Sequence, residues 1–166
     1  LEGRDIVPLS ERQLLAARRR IGMVFQNSAL FDSLSVGENV AFALREHTDL
    51  DEAAVRARVE EALELVGLAG IQRKEPAELS GGMRKRVAIA RAIALPPRIL
   101  LYDEPTTGLD PANVDKITDL ILELKTRMGV TSVVVTHDMP SAFKVSDRLA
   151  MLHQGRIAAV GTPEEV

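Results

Sequence analysis

Residues 99–105 read Ile99-Leu100-Leu101-Tyr102-Asp103-Glu104-Pro105, an apolar run that stops on two carboxylates and a proline. A short all-apolar run of this kind suits a strand buried on both faces of a parallel sheet. Upstream, Ser80 can cap a helix that runs to about Ala94 and is stopped by Pro96-Pro97. Downstream, Asp110-Pro111 sets a capping carboxylate before a proline at the first helical position. The helix it opens buries Val114, Ile117, Ile121, Leu124 and Met128 and ends at Gly129. Residues 132–135 form a second buried strand, followed by Thr136-His137-Asp138. Strands alternating with helices predict a parallel α/β sheet. Ligands of such sheets sit beyond the carboxyl ends of the strands. Asp103-Glu104 and Thr136-His137-Asp138 therefore gather at one edge.

The rest of the chain fits around this centre. Residues 21–25 are a short strand ending at Gln26, and residues 10–20 a short helix with Ser10 at its N-cap. Residues 27–43 are mixed, with Leu30, Phe31, Leu34, Val36 and Phe42 as apolar anchors. Residues 51–66 form an amphipathic helix with Val55, Val59, Leu63 and Val66 at helical spacing and Gly67 at its end. Residues 140–145 are a short helix. Residues 148–153 and 156–160 pair as a hairpin about Gln154-Gly155.

Composition excludes several classes. The 166 residues are 46% apolar and 27% charged, as in an ordinary globular domain. A net charge of −3 argues against a broad nucleic-acid-binding face. No cysteine is present, which removes disulfides, thiolate metal sites and a Cys nucleophile. No apolar run approaches the roughly 20 residues that cross a bilayer. The opening Leu1-Glu2-Gly3-Arg4 has no initiating Met and reads as a cut inside a larger protein.

Four groups carry chemistry. Asp103 and Glu104 can divide labour, one holding a hydrated Mg²⁺ and the other orienting or deprotonating a water. Ser80, Gly81 and Gly82 open a helix whose N–H groups and dipole suit an anion such as a terminal phosphate. His137, at the same edge as Glu104, can contact a γ-phosphate or place the attacking water. Gln26 can touch the metal or that water through its amide oxygen. Each alone has an ordinary structural explanation: a solvated acidic pair, an N-cap, a surface histidine, a surface glutamine.

Their order and spacing resemble the ABC ATPase family. Gln26, Leu79-Ser80-Gly81-Gly82-Met83, residues 99–105, Gly108-Leu109-Asp110-Pro111 and Thr136-His137-Asp138 match its Q-loop, signature, Walker B, D-loop and H-switch in sequence. The resemblance implies a P-loop NTPase-like α/β fold. A parallel sheet core spans about residues 96–166, and a helical signature region about residues 27–95. It implies Glu104 as general base, His137 as γ-phosphate sensor, Asp103 and Gln26 at Mg²⁺, Ser80, Gly81 and Gly82 on the ATP of a second subunit, and Asp110 at the dimer seam. ATP and Mg²⁺ are the cofactors implied.

The phosphate-binding pattern G-x-x-x-x-G-K-S/T occurs nowhere, and no Gly-Lys pair exists. The adenine-stacking aromatic is also missing, since the only tyrosine, Tyr102, lies in a buried strand. The expectation is a family member truncated at its N-terminus, inactive alone and an ATPase as a full-length homodimer. Met83 in the signature, residues 24–31, residues 43–48 and the basic run Arg84-Lys85-Arg86 lean toward lipid-transport members of the Mla/Mce type. That basic run also reads as a solvated helix face. The partners then implied are an integral membrane permease and a lipid-binding Mce-type protein, with no nucleic acid, at the cytoplasmic face of the inner membrane. Alternatives are an osmoprotectant or amino-acid importer ATPase, a non-transport ABC ATPase, and an interaction subunit without turnover. The single ordinary helix expected between Gln26 and Ser80 disfavours the DNA-repair members, which insert a coiled coil there. Leu30, Phe31 and Leu34 are expected either to wall a groove for the permease or to fill the helical core.

Overall fold

A computed structural model describes Gly3 and residues 5–166. Leu1, Glu2 and Arg4 lie outside the described residues, and with them most of the tetrapeptide from which a cut was expected. Strands β1 (Ile21–Val24), β2 (Ile99–Asp103) and β3 (Thr131–Val135) form a parallel sheet in the order β1-β2-β3. The register pairs Val24 with Tyr102 and Asp103 with Val135, so all three strands finish at one edge.

The expectation of strands buried on both faces is corrected. On β2, Leu100 and Tyr102 are fully buried, but Ile99, Leu101 and Asp103 are half-buried. On β3, Val133 and Val135 are exposed. The helices bury one face of the sheet, and the apolar character of the other face does not by itself bring a cover. Helix α4 (Gly81–Ala94) packs on β1. The approach is so close that a Cβ on Gly22 would lie 2.5 Å from the Ala92 carbonyl oxygen, so only glycine fits there.

Helix α1 (Glu11–Arg18) follows Ser10, whose backbone N–H donates to Gln13 Oε1. Between Gln26 and Ser80 the structure holds two helices, α2 (Val36–His47) and α3 (Glu52–Leu65), plus a 3₁₀ turn at Pro76–Glu78. The single expected helix is α3, capped by Asp51 and followed by Gly67 at φ +66°. Helix α2 escaped the pattern because its inward position Asn39 is polar and its outward position Phe42 is aromatic. Its start is fixed by a reciprocal cap: Ser35 Oγ accepts from Glu38 N–H, and Glu38 Oε2 accepts from Ser35 N–H. Asn39, fully buried, donates to the carbonyls of Phe31, Leu34 and Ser35 and accepts from Phe31 N–H. Val40, Leu44, Val55, Leu63, Val87 and Ile89 join Leu100 and Tyr102 in one continuous core.

Helix α5 (Pro111–Met128) buries Ile117, Leu120, Ile121 and Leu124, leaving Val114 and Met128 half-buried, and stops at Gly129 with φ +61°. Helix α6 (Met139–Val145) packs on it. Strands β4 (Leu149–His153) and β5 (Arg156–Gly161) form a separate antiparallel hairpin. Its turn residues Gln154 and Gly155 both have positive φ, as a two-residue hairpin turn requires.

Candidate functional site

The carboxyl edge of the sheet collects Gln26, Asp103, Glu104 and His137. Gln26 is exposed, two residues past the end of β1. Asp103 is the last residue of β2, and Glu104 leaves it at φ +46°, a left-handed conformation that side chains rarely adopt. Glu104 N–H still donates to Val135 O at 2.9 Å, which holds the turn against β3.

The Glu104 side chain is held at both oxygens. Oε1 lies 2.9 Å from His137 Nδ1, and Oε2 accepts from Thr107 Oγ1 at 3.0 Å. An ionised carboxylate only accepts, so Nδ1 carries the proton in this pair. The side chain of Glu104 is 17% exposed and that of His137 79%. Desolvation draws the Glu104 carboxyl upward, but the bonds from His137 and Thr107 and the nearby imidazolium charge outweigh it and hold it below its ordinary value. The bond to Glu104, with its negative charge, pushes His137 above its ordinary value. An oriented carboxylate with one proton carrier in contact is what abstraction of a proton from water requires.

Ser80, Gly81 and Gly82 form a second group at the start of α4, with Ser80 Oγ accepting from Met83 N–H at 3.2 Å. Among the described residues no hydrogen bond joins them to Glu104 or His137. They face the start of α5 instead. A Cβ on Gly82 would lie 2.9 Å from Asn113 Oδ1, so a larger residue there would require the Asn113 side chain to shift. A Cβ on Gly81 would meet only Leu109, at an ordinary 3.7 Å. Asp110 caps α5 by accepting from the backbone N–H and side-chain amide of Asn113, and the amide bond first of all holds its carboxyl below the usual range.

Two features went unread in the sequence. Thr107 reaches Glu104 across a three-residue turn, a contact with no periodic signal. The basic run is only partly a solvated face: Arg84 is exposed and Arg86 half-buried, but Lys85 is 5% exposed, and its ammonium donates to the backbone carbonyls of Gln26 and, at 3.1 Å, Glu104. Arg84 donates to Leu79 O, and Arg86 to Val66 O and Gly67 O. The signal was available in Gly82, Lys85, Ile89 and Ile93, which share one helical face at i, i+3, i+7 and i+11.

An open cleft of ≈ 650 Å³ runs along β1 against residues of α1, α2 and α4, lined among others by Met23, Phe25, Phe31, Phe42 and Arg91. Phe31 is 43% exposed and stacks on Phe42 with ring centroids 4.9 Å apart. It walls the cleft rather than filling the core; Leu30 and Leu34 are half-buried.

A family profile described as ABC transporter matches residues 1–107. The chain is 44% identical over 165 residues to the intermembrane phospholipid transport system ATP-binding protein MlaF of Haemophilus influenzae, covering 99% of this chain and 62% of that protein. It is 42% identical to the "Probable ribonucleotide transport ATP-binding protein mkl" of Mycobacterium leprae, covering 100% of this chain and 48% of that one. The dimeric post-hydrolysis structure of the ATP-binding cassette MJ0796 bound to ADP and Pi superposes with a TM-score of 0.87 at 34% identity, covering 98% of this chain and 72% of that chain. The chain thus spans about half to three-fifths of the length of these curated relatives.

Proposed function

The chain belongs to the ABC transporter family, and from that premise we propose that the protein carrying it is the ATP-binding subunit of a membrane transporter, hydrolysing ATP to move phospholipid or a related lipid. The observation that carries the hydrolytic reading is the Glu104 carboxylate, fixed at one oxygen by His137 and at the other by Thr107 at the carboxyl edge of a parallel sheet. Glu104 takes the proton of the attacking water. His137, with its second ring nitrogen free of that bond, faces the terminal phosphate and stabilises the charge that develops there. Ser80, Gly81 and Gly82 offer helix N–H groups to the γ-phosphate. The site is read as shared between two copies, with Asp110 at the seam.

Mg²⁺ fits the donor chemistry of the edge. Asp103 offers a carboxylate and Gln26 an amide oxygen, both hard donors. Among the described residues no group of three or more acidic, His or Cys residues could hold a metal alone. This agrees with an ion that keeps waters and phosphate oxygens as its remaining ligands, and it would neutralise phosphate charge when bound. The permease takes the cleft walled by Phe31, and a second copy of the subunit completes the ATP sites. No described helix is long and apolar enough to cross a membrane, in keeping with a subunit held peripherally at the cytoplasmic face by its permease, with a lipid-binding Mce-type protein as a further partner and no role for nucleic acid. The lipid reading follows the 44% identity to the phospholipid-transport relative; the relative named for ribonucleotide transport is 42% identical and makes cargo the point to test.

The test is Glu104→Gln in the full-length protein. The amide keeps shape and removes the base, so kcat falls by about 10²–10⁴. ATP binding persists, and Mg-ATP drives dimerisation seen by size-exclusion chromatography. Retained hydrolysis overturns the base assignment, and a nucleotide-saturated monomer overturns the shared site. The 166-residue chain alone, with no G-x-x-x-x-G-K-S/T loop, releases no phosphate from ATP.

A further inference from the structure

We propose that Lys85 is a positioning residue that ties the loop after β1 to the loop after β2, so that Gln26 and Glu104 are carried together by α4. The argument starts from cost. An ammonium taken out of water loses hydration worth several kcal/mol and is tolerated only where acceptors replace it. Lys85 is 5% exposed, and the acceptors it finds are two backbone carbonyls, those of Gln26 and Glu104. These lie 59 and 19 residues away in sequence, on segments leaving adjacent strands. Burial lowers the Lys85 pKa, while the charges of Glu104 and Asp103 oppose that and favour the ammonium.

The other basic side chains of α4 make a different pattern. Arg84 bonds Leu79, two residues before its own helix, and Arg86 bonds Val66 and Gly67, just past the end of α3. Arg91 donates to Ser28 O at 2.8 Å and to Ala29 O, pinning the first loop alone. Lys85 is the basic residue of α4 that touches both loops. It stands five positions after Ser80 on the same helix. A tilt of that helix, of the kind a phosphate at Ser80–Gly82 would bias, therefore reaches Gln26 and Glu104 through one side chain. The catalytic consequence rests on the reading under Proposed function; the mechanical link does not.

Two measurements separate them. In the wild-type chain, hydrogen exchange of the amides of residues 25–27 and of Asp103 and Glu104 should follow one shared opening as denaturant rises, below the opening of α4. Two independent openings overturn the link without any variant being needed. Lys85→Met should speed exchange in both loops about tenfold, the equivalent of one or two lost hydrogen bonds. Lys85→Gln, whose amide can still donate, should restore both. Arg91→Met should loosen residues 26–31 alone. Loosening of one loop only in Lys85→Met, uniform loosening that includes the α3 core, or failure of Lys85→Gln to restore overturns the proposal. In the full-length protein, Lys85→Met should lower kcat about tenfold or more while KM for ATP moves less than about threefold, because misplacement by a fraction of an ångström acts on the reacting geometry. An unchanged kcat with a lowered melting temperature marks a structural role and overturns the catalytic half. If the wild type hydrolyses no ATP, the functional reading fails, and the exchange result still decides the link.

Discussion

The loops that follow β1 and β2 leave neighbouring strands at the same edge and both contain non-glycine residues in the left-handed region, Ser28 and Ala29 in one and Glu104 in the other. Their backbones are held alike at one point, but their functional side chains are restrained differently. The first is clamped by its backbone: Lys85 holds Gln26 O, Arg91 holds Ser28 O and Ala29 O, and Asn39 holds both polar atoms of the Phe31 backbone. Its exposed Gln26 side chain is left to respond to whatever arrives. The second shares a backbone clamp, through Lys85 on Glu104 O and Glu104 N–H on Val135 O, but its side chain is clamped as well, by His137 and Thr107. On the roles proposed for them, a reactive group that must be ready in advance is held at its own atoms, and a group that must report a change is held behind them.

The comparison breaks most visibly at Asn39. Asn39→Ala leaves several buried groups of the first loop unpaired and should cost about 3 kcal/mol of stability, read from urea unfolding, at about 1–3 kcal/mol per orphaned group. Exchange of residues 27–35 should quicken, with the Glu104–His137 contact intact. Next is Thr107→Val, which removes one anchor of the second loop only. We expect kcat in the full-length protein to fall about tenfold, the size of one charge-assisted hydrogen bond, with ATP affinity unchanged. A rise in KM alone would place Thr107 in binding. Phe31→Ala removes an exposed wall of the cleft. It should lower stability by about 1 kcal/mol or less, while weakening capture of the permease; a loss of about 3–5 kcal/mol would return Phe31 to the core.

The smallest effect is the pH dependence of the Glu104–His137 pair. His137 is raised from 6.5, so its contribution is full below that value and is lost as pH rises through the folded value. Glu104 is lowered from 4.5, so its contribution is full above that value and is lost as pH falls through the folded one. The difference in urea midpoint between wild type and Glu104→Gln should peak between those limits. NMR titration should return His137 toward its ordinary value in Glu104→Gln, and an unmoved His137 would deny the pair in solution.

Much of this was legible where local chemistry decides. Asp51 and Gly67 bracket α3, Asp110 and Gly129 bracket α5, and Gln154-Gly155 turns the hairpin, all through caps and positive φ that a sequence announces. Helix α2 was hidden because Asn39 faces in and Phe42 faces out, which cancels the apolar period although Ser35 and Glu38 spelled its start. Among the site residues, the order of Gln26, Ser80, Asp103, Glu104, Asp110 and His137 could be read, but two joins could not. Lys85 was assigned to solvent by its charge, and the reach of Thr107 to Glu104 depends on a turn whose geometry only the folded chain reveals. Solvent on Val133 and Val135 was equally unreadable, since an apolar strand looks the same whether or not a layer covers it.

The left-handed backbone at Glu104 sets two kinds of fitness against each other. Holding a non-glycine residue there costs on the order of 1–3 kcal/mol, and glycine would relieve it. Under the role proposed for Glu104, a laboratory selection for heat resistance alone would thus drift toward losing the carboxylate, and the most robust descendants would be the ones that no longer turn over.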